Sequence, residues 1–592
     1  MKNMSRKRLI LLVLFSGFVL SLFAAPRVTS WIHQGDPGGQ YGFQLEESAH
    51  SLGIDFIHEV SPFDPKIKNI TPWIQGMEGA SVTVCDFDND GWPDIYVTNN
   101  RIGSMNRLYM NRGGKRFEEV AQKAGVADVN RAGTGISTGA TCADYNNDGY
   151  EDLLVYKWGN LELFRNNGDG TFTRVTQETG LGEWIYASDA IWWDFNRDGC
   201  LDIYVGAYWR AEHNLWHLDT TRIMQDDIDI SRNGGRNKLY EQMKSGDRCT
   251  GTFKEVSQQY GVDDSGWTLA VGAADLNGKG FPDLYVANDY GPDSLFLNID
   301  GSHFKKLTER RGIGDDTKKG MNVAFGDFKN SGRLGIYVTN ITEPGYLVEG
   351  NMLWENLGNG RFRDVAWSVG AADCGWAWGA VFGDLNNDGY LDIYSANGMV
   401  SANPKTEYWY DLFTMSVGIN LILEDAATWP SMDNKSWSGY QRSCVFLNDG
   451  RGRFRDVAEK VGATDLYDGR GVALADLDRN GTLDVIVANL KGPLLVYLNR
   501  VDPSRKWIQF RLQGTKSNRS AIGAQVTVHW NNQMQVQVLD GGGGYSSHSE
   551  KLLHFGLGEN PKLDHAEIRW PSGKIQVLRQ LEPNKLYVVE EP

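Results

Sequence analysis

Oxygen-bearing side chains recur in this chain in one fixed pattern, seven times over. The pattern sets Asp or Asn at positions 1, 3, 5 and 9 of a loop, with Gly at position 6, and then runs into an apolar stretch such as "DIYV". The first loop offers Asp86, Asp88, Asp90 and Asp94, and the second Asp144, Asn146, Asp148 and Asp152. The third offers Asp194, Asn196, Asp198 and Asp202, the sixth Asp384, Asn386, Asp388 and Asp392, and the seventh Asp476, Asp478, Asn480 and Asp484. The fourth keeps Asp275, Asn277 and Asp283 but has Lys279 at position 5. In the fifth only Asp327 survives, because Lys329, Ser331 and Gly335 take the other three places.

Carboxylates this close repel one another unless a cation or full solvation offsets the repulsion. A hard dication takes such oxygens, and Gly at position 6 permits the sharp turn that aims them inward. The start of the loop is that of an EF-hand, but its last acid stands at position 9 rather than 12 and its flanks are strands. Asn-Asp-Gly is also ordinary turn chemistry, so one such loop would mean little. Recurrence in register makes the metal reading the stronger one. About five Ca²⁺ sites are expected, with the fourth loop a sixth weakened by Lys279, and with Lys329 excluding an ion from the fifth.

The elements that must position these loops are short strands. After each "DIYV"-type stretch comes a segment like "NRLYMN" (106–111), a Gly-containing turn, and a segment like "FEEVAQKAGV" (117–126). Aromatic and β-branched residues alternate with polar ones between Gly and Asn, which is strand–turn–strand patterning. Four-stranded units that cannot bury both faces alone pack radially into a propeller. The predicted fold is therefore all-β, a seven-bladed β-propeller over 26–500. The seventh unit ends at "PLLVYLNR" (493–500) without its closing segment, and "LEESAHSLGI" (45–54) has the matching spacing. The N-terminal segment is expected to complete the last blade and remove an exposed sheet edge.

Over about 45–500 the repeats resemble the FG-GAP/VCBS repeats of integrin-like propellers. Residues 501–592 leave the repeat and read as a small β-sandwich or barrel domain, with period-2 stretches such as "WIQFRLQG" and "AQVTVHW". "NRSAIGAQV" (518–526), "GGGGYSSHSEKLLHFGLG" (541–558) and "WPSGKIQ" (570–576) resemble the ASPIC/UnbV domain that follows such propellers in cartilage-acidic-protein-like proteins. The resemblance implies an exported calcium-binding propeller with a cap, and no particular chemistry. His548 and His554 read as packing histidines, and Gly541–Gly544 lacks the Lys-Ser/Thr and helix start of a phosphate loop.

The net charge of −16 argues against nucleic acid as a partner. Lys2, Arg6, Lys7 and Arg8 precede an apolar run, Leu9 to Phe23, and Ala24-Ala25, so residues 1–25 read as a signal peptide or an N-terminal membrane anchor. The chain is then secreted, periplasmic or held at the cell surface. Its six scattered Cys are compatible with disulfides or with buried thiols. Insertions at 207–236 and 399–443 follow the third and sixth "DIY" strands and emerge on one face. These aromatic insertions read first as covering the channel or docking the tail domain, next as a binding face and last as a catalytic lid; if a protein or glycan binds there, Trp209, Trp216, Tyr408, Trp409 and Tyr410 are the expected anchors. No convergent catalytic set is present and only ten His occur, so a binding or adhesion module is favoured. The alternatives are an enzyme on a propeller scaffold (a polysaccharide lyase or an oxidative tailoring enzyme) and a structural subunit of a membrane-associated complex.

Overall fold

The computed structural model describes residues 39–307, 312–314, 317–416 and 423–592, without side-chain placement for 413–416. The apolar segment Leu9 to Phe23 and the cleavage site at Ala24-Ala25 lie outside the described residues.

Seven four-stranded antiparallel units follow one another. The first runs Val82–Cys85, Asp94–Val97, Arg107–Asn111 and Phe117–Glu119, and the carboxylate loop joins its first two strands. The first two strands of this unit are buried at every residue, because each sheet is covered on both faces by its neighbours. Val82, Val84, Ile95 and Val97 pack against Ala473, Ile486 and Val496 of the seventh unit. Phe87, Tyr96 and Leu108 pack on Leu153, Val155 and Phe164 of the second. Comparable clusters join every other neighbouring pair, which closes the ring. Each buried Val, Leu, Ile or Phe contributes roughly 1.5–3 kcal/mol. The second and third units are also joined by pairing, since Asp152–Asn160 continues past its own sheet to pair Tyr186 with Trp158.

Strand Phe43–Glu47 pairs with Leu495–Val501, from Phe43↔Val501 to Glu47↔Tyr497, as the outer strand of the seventh unit. It begins two residues before the 45–54 segment, and residues 48–54 instead form a helical turn, with the Leu52 N–H donating to Ser48 O at 3.0 Å. That turn ends at Gly53 with φ +83°, and the equivalent turn of the sixth unit ends at Gly462 with φ +98°. A β-carbon at Gly462 would strike the Leu45 carbonyl, so only Gly fits this left-handed position at the junction.

The C-terminal region forms two sheets. Lys506–Gln513 lies between Leu553–Gly558 and Lys585–Glu590, while Gln525–Trp530, Gln533–Val538, Leu563–Arg569 and Ile575–Arg579 form the other. Ile508, Phe510, Val526, Val528, Phe555 and Ile568 fill the space between them. The fold is thus all-β, a propeller followed by a small β-domain.

Three disulfides are present, Cys85–Cys142, Cys200–Cys249 and Cys374–Cys444. The first ties the innermost strands of units one and two together.

Candidate metal centres

All seven loops share one backbone geometry. Position 4 is left-handed, from Asn89 (φ +56°) to Arg479 (φ +54°), with Gly278 in the fourth loop, and Gly at position 6 is left-handed as well. This double turn brings the position-6 N–H onto the position-1 carboxylate, at 2.7 Å in the Asp144 loop and 3.0 Å in the Asp86 loop. The position-9 carboxylate reaches in from the start of the next strand. Asp94 accepts N–H bonds from Phe87 (2.9 Å) and Asn111 (2.8 Å), and Asp484 accepts from Leu477 (2.9 Å) and Asn499 (2.8 Å).

The loops differ in the oxygens left over. In the first, Asp86, Asp88 and Asp94 bring one oxygen each within 4.8 Å of one another, and Asp476, Asp478 and Asp484 do the same in the seventh. Buried oxygens of Asp86, Asp88, Asp152 and Asp478 have no hydrogen-bond partner. In the second and sixth loops the position-3 amide donates to the position-5 carboxylate, Asn146 to Asp148 at 2.9 Å and Asn386 to Asp388 at 3.0 Å. In the third loop, Asn196 donates to Glu241 at 3.3 Å, and Asp198 accepts the Cys200 N–H at 2.9 Å. The fourth loop turns the Asn277 amide onto Asp283 at 2.8 Å.

The fifth loop corrects one expectation. The Lys329 ammonium does not sit among the loop oxygens. It turns outward over the Phe328 ring to pair with Glu355 at 2.5 Å. The fifth loop is a poor cation site because Ser331 and Gly335 carry no carboxylate, and a side chain at 335 would meet the Phe328 ring at 2.8 Å.

Burial pushes these acids up. Asp94 rises to about 8, Asp144 and Asp194 to about 7, and Asp86 and Asp476 to about 6. Asp152, Asp202, Asp283, Asp392 and Asp484 rise well above the ordinary carboxylate range for the same reason. Neighbouring carboxylates add to the effect, so the loops favour either a proton or a cation. Converging carboxylates with unpaired buried oxygens fit a hard dication in loops one, two and seven best.

A further set of residues locks each loop from the adjacent unit. Asn111 Nδ2 donates to Pro93 O in its own unit (3.2 Å) and to Leu477 O in the seventh (2.9 Å). Asn166 reaches Phe87 O, Asn298 reaches Phe195 O, Asn356 reaches Leu276 O, Asn448 reaches Phe328 O and Asn499 reaches Leu385 O. Gln242 does the same to Tyr145 O. Each amide lies on a third strand, at its last residue in five units and within it at Gln242 and Asn499, and holds position 2 of the preceding unit's loop. The repeated Asn after "LYM", "LFR" or "VFL" was the available sequence signal.

The C-terminal domain sits on this loop face. Ser520 accepts the Asp144 N–H (2.9 Å), Gln509 donates to Asp476 (2.9 Å), Gln535 to Asn330 (2.9 Å) and Arg197 to Pro571 O (2.5 Å). Arg511 approaches Asp86 at 3.5 Å, and Arg519 approaches Asp144 at 3.7 Å. His554 meets Asn387 at 2.7 Å and is held neutral by burial, down to about 3. The Gly-rich loop enters the central channel. Gly541 O accepts the Trp192 N–H, Gly544 N–H donates to Val323 O, and His548 exchanges backbone bonds with Val82 and Val84. A β-carbon at Gly541 would strike the Trp192 carbonyl, which explains the Gly there.

The aromatic insertions lie on the opposite face. Trp209 and Tyr408, expected as exposed anchors, are buried at 1% and 0% exposure in one cluster with Trp73, Trp267 and Trp437. Trp216 packs on Phe63 at 5.5 Å, and Trp409 stacks on Tyr410 at 3.7 Å. Tyr410 alone of the five is well exposed, at 63%. Burying their rings against Ile67, Ile70 and Trp73 removes more apolar surface from water than presenting them would.

Family models match these regions. The model described as "FG-GAP-like repeat" matches 86–155, 144–205, 275–338, 343–395 and 436–487, and that described as "ASPIC and UnbV" matches 514–592. The chain carries FG-GAP-like repeats and, C-terminal to them, an ASPIC and UnbV domain, and it is similar to cartilage acidic proteins. Cartilage acidic protein 1 of Homo sapiens is 24% identical over 83% of this chain and 69% of its own length. The Xenopus tropicalis protein is 27% identical over 54% of each chain, so the matched part of this chain spans about half the length of that relative. Among solved structures, an Agrocybe aegerita lectin recognising non-reducing terminal N-acetylglucosamine is similar at 17% identity and TM-score 0.36, covering 70% of this chain and 86% of that one. The V. cholerae biofilm matrix protein Bap1 is similar at 10% identity and TM-score 0.30, covering 91% and 62%.

Proposed function

We propose that this chain is an exported, Ca²⁺-stabilised propeller that binds another macromolecule, a protein or a glycan, on the face opposite its C-terminal domain. The observation that carries the metal reading is the set of buried loop carboxylates with unpaired oxygens in loops one, two and seven, which converge in loops one and seven. Asp86, Asp88 and Asp94 would hold one ion, Asp476, Asp478 and Asp484 another, and Asp144, Asp148 and Asp152 a third. The second, third and sixth loops would bind after their position-3 amides rotate to present oxygen, an O/N exchange that costs little when a cation replaces the partner. Bound Ca²⁺ would supply charge neutralisation and cross-link two strands; it is scaffolding rather than a reaction centre.

Export is supported by three disulfides, which persist in oxidising compartments, and by the kinship with cartilage acidic proteins. The covered loop face leaves the insertion face for a partner. Native mass spectrometry with and without chelator tests the reading. Several Ca²⁺ per chain are expected, together with protein or glycan capture that chelation abolishes. A chain that binds no Ca²⁺ rules the reading out.

A further inference from the structure

The Cys85–Cys142 pair meets one side chain of the C-terminal domain. Cys85 ends the innermost strand of unit one, and Cys142 lies on that of unit two. The Gly-rich loop bridges to Thr83, and the His548 backbone bonds to Val82 and Val84. That register sets the His548 ring beside the two sulfurs. Its Nδ1 is 3.7 Å from Cys142 Sγ, and Nδ1 and both sulfurs lie within 4.8 Å of one another. Cys85, Cys142 and His548 are 3%, 0% and 2% exposed.

The surroundings of His548 differ from those of an ordinary packing histidine. His554, equally buried, is held between the side-chain amides of Asn387 and Gln509. His548 Nδ1 instead accepts the Cys142 N–H at a long 3.4 Å, which makes it the unprotonated nitrogen. Its other neighbour, the Thr141 hydroxyl at 3.1 Å, has a second acceptor in Gly541 O at 3.2 Å. Burial keeps the ring neutral, the form in which imidazole binds metal. Lys551 Nζ donates to Cys142 Sγ at 3.3 Å and to Cys85 Sγ at 3.6 Å, and pairs with Glu151 at 2.8 Å. Among the described residues, neither of the other disulfides has a third metal-ligating side chain this close.

We propose that the reduced Cys85–Cys142 pair and His548 hold one zinc ion, so that this part of the channel wall alternates between a disulfide and a metal site. Two thiolates and an imidazole form a set that zinc takes and Ca²⁺ leaves. The charges balance, because two thiolates neutralise the dication while Lys551 and Glu151 neutralise each other. The Cα atoms of the pair stand 6.8 Å apart, against 5.6 and 6.1 Å in the other two disulfides. Sulfurs that each sit about 2.3 Å from a metal are farther apart than bonded sulfurs, and the wider spacing suits them. A cavity of about 410 Å³ lined by Cys85, Glu151 and Lys551 has room for a water as fourth ligand. The site opens when an external dithiol gives two electrons and two protons to the S–S bond and leaves as its own disulfide. Zinc then releases the two thiol protons to solvent and forms two Zn–S bonds and one Zn–N bond. The disulfide joins units one and two; the zinc would join the C-terminal domain to both.

The test uses the full Ca²⁺-loaded chain, reduced by a dithiol and desalted without oxygen. It is then titrated with Zn²⁺, or with Co²⁺ as a spectroscopic stand-in. By native mass spectrometry the reduced chain should take one Zn²⁺ more than the oxidised chain. Co²⁺ should give a sulfur-to-metal charge-transfer band, which the carboxylate loops cannot produce. His548→Gln should weaken Zn²⁺ binding by about tenfold or more, since losing even a supporting partner of a ligand costs about that much, and should shift the visible Co²⁺ bands. Cys85→Ser should weaken the charge-transfer band and abolish the extra Zn²⁺. The comparison of reduced and oxidised unmodified chain needs no variant, so it stands if a variant fails to fold. A reduced chain without the charge-transfer band overturns the inference. So does a folded chain whose Cys85 and Cys142 resist alkylation after dithiol treatment. A band of unchanged strength in Cys85→Ser, or undiminished Zn²⁺ affinity in His548→Gln, overturns it by placing the metal elsewhere.

Discussion

At the residue scale, the clamping amide of each third strand separates structural from metal roles. Asn356 belongs to the fifth unit, whose loop lacks three of the four oxygen ligands, yet it still donates to Leu276 O and Leu334 O. Its hold on Leu334 is therefore independent of an ion in its own loop. Asn356→Ala should lower stability by about 1–3 kcal/mol for each carbonyl left without a partner, with the ion count unchanged. Calorimetry and native mass spectrometry on the same sample check this. The loop acids should behave in the converse way. Asp148→Ala is expected to lose one Ca²⁺, and Asp327→Ala none, because Ser331 and Gly335 complete no cage. Equal ion loss in both variants contradicts the loop-by-loop assignment.

At the element scale, ring closure depends on one short strand. Phe43–Glu47 covers the edge formed by Leu495–Val501 and buries Phe43 and Leu45 against Val457 and Val461. Removing residues up to Glu47 would uncover a row of unpaired backbone groups, a template for intermolecular pairing. The truncated chain should melt lower and associate with increasing concentration, as followed by light scattering. A monomeric variant with an unchanged melting temperature would show that the closing strand contributes little. The Gly-rich loop is a second closing element. By bonding to innermost strands of several units, it ties the C-terminal domain to the channel wall.

At the scale of the whole molecule, the buried acids link stability to pH and metal. An unfolded Asp titrates near 4, whereas burial raises Asp94 to about 8, Asp144 and Asp194 to about 7, and Asp86 and Asp476 to about 6. The folded chain thus holds these protons more tightly than the unfolded one. Without a cation, its stability is greatest below the unfolded value and falls as pH rises through about 6 to 8. Bound Ca²⁺ would replace the lost protons, so its stabilising effect should grow from about pH 5 to about pH 8. Linkage gives about 2.7 kcal/mol per site at a hundredfold excess over Kd. Melting curves with Ca²⁺ and with EDTA at the two pH values measure the difference. Coincident curves at the higher pH reject the metal sites.

The repeat, the all-β propeller and the shared turn of the loops were legible in the sequence, because a turn of nine residues and a strand of alternating side chains are local and recur in register. The double left-handed turn at positions 4 and 6 is local too, and the loop motif already carries its Asn and Gly. Contacts between distant segments were decided by the tertiary structure. Asn111 finds its second acceptor at Leu477 and closes the ring across most of the chain. Six Cys permit fifteen pairings, and the fold brings together one set. Lys329 reads as a cation inside a metal loop until packing offers it Glu355 and the Phe328 ring. The aromatic insertions show the same division most plainly. Their composition marks them as apolar, but whether Trp209 faces water or Trp73 depends on three segments meeting over the channel. Burial is a property of that meeting, because the free energy of removing an indole from water is gained only where other surfaces enclose it.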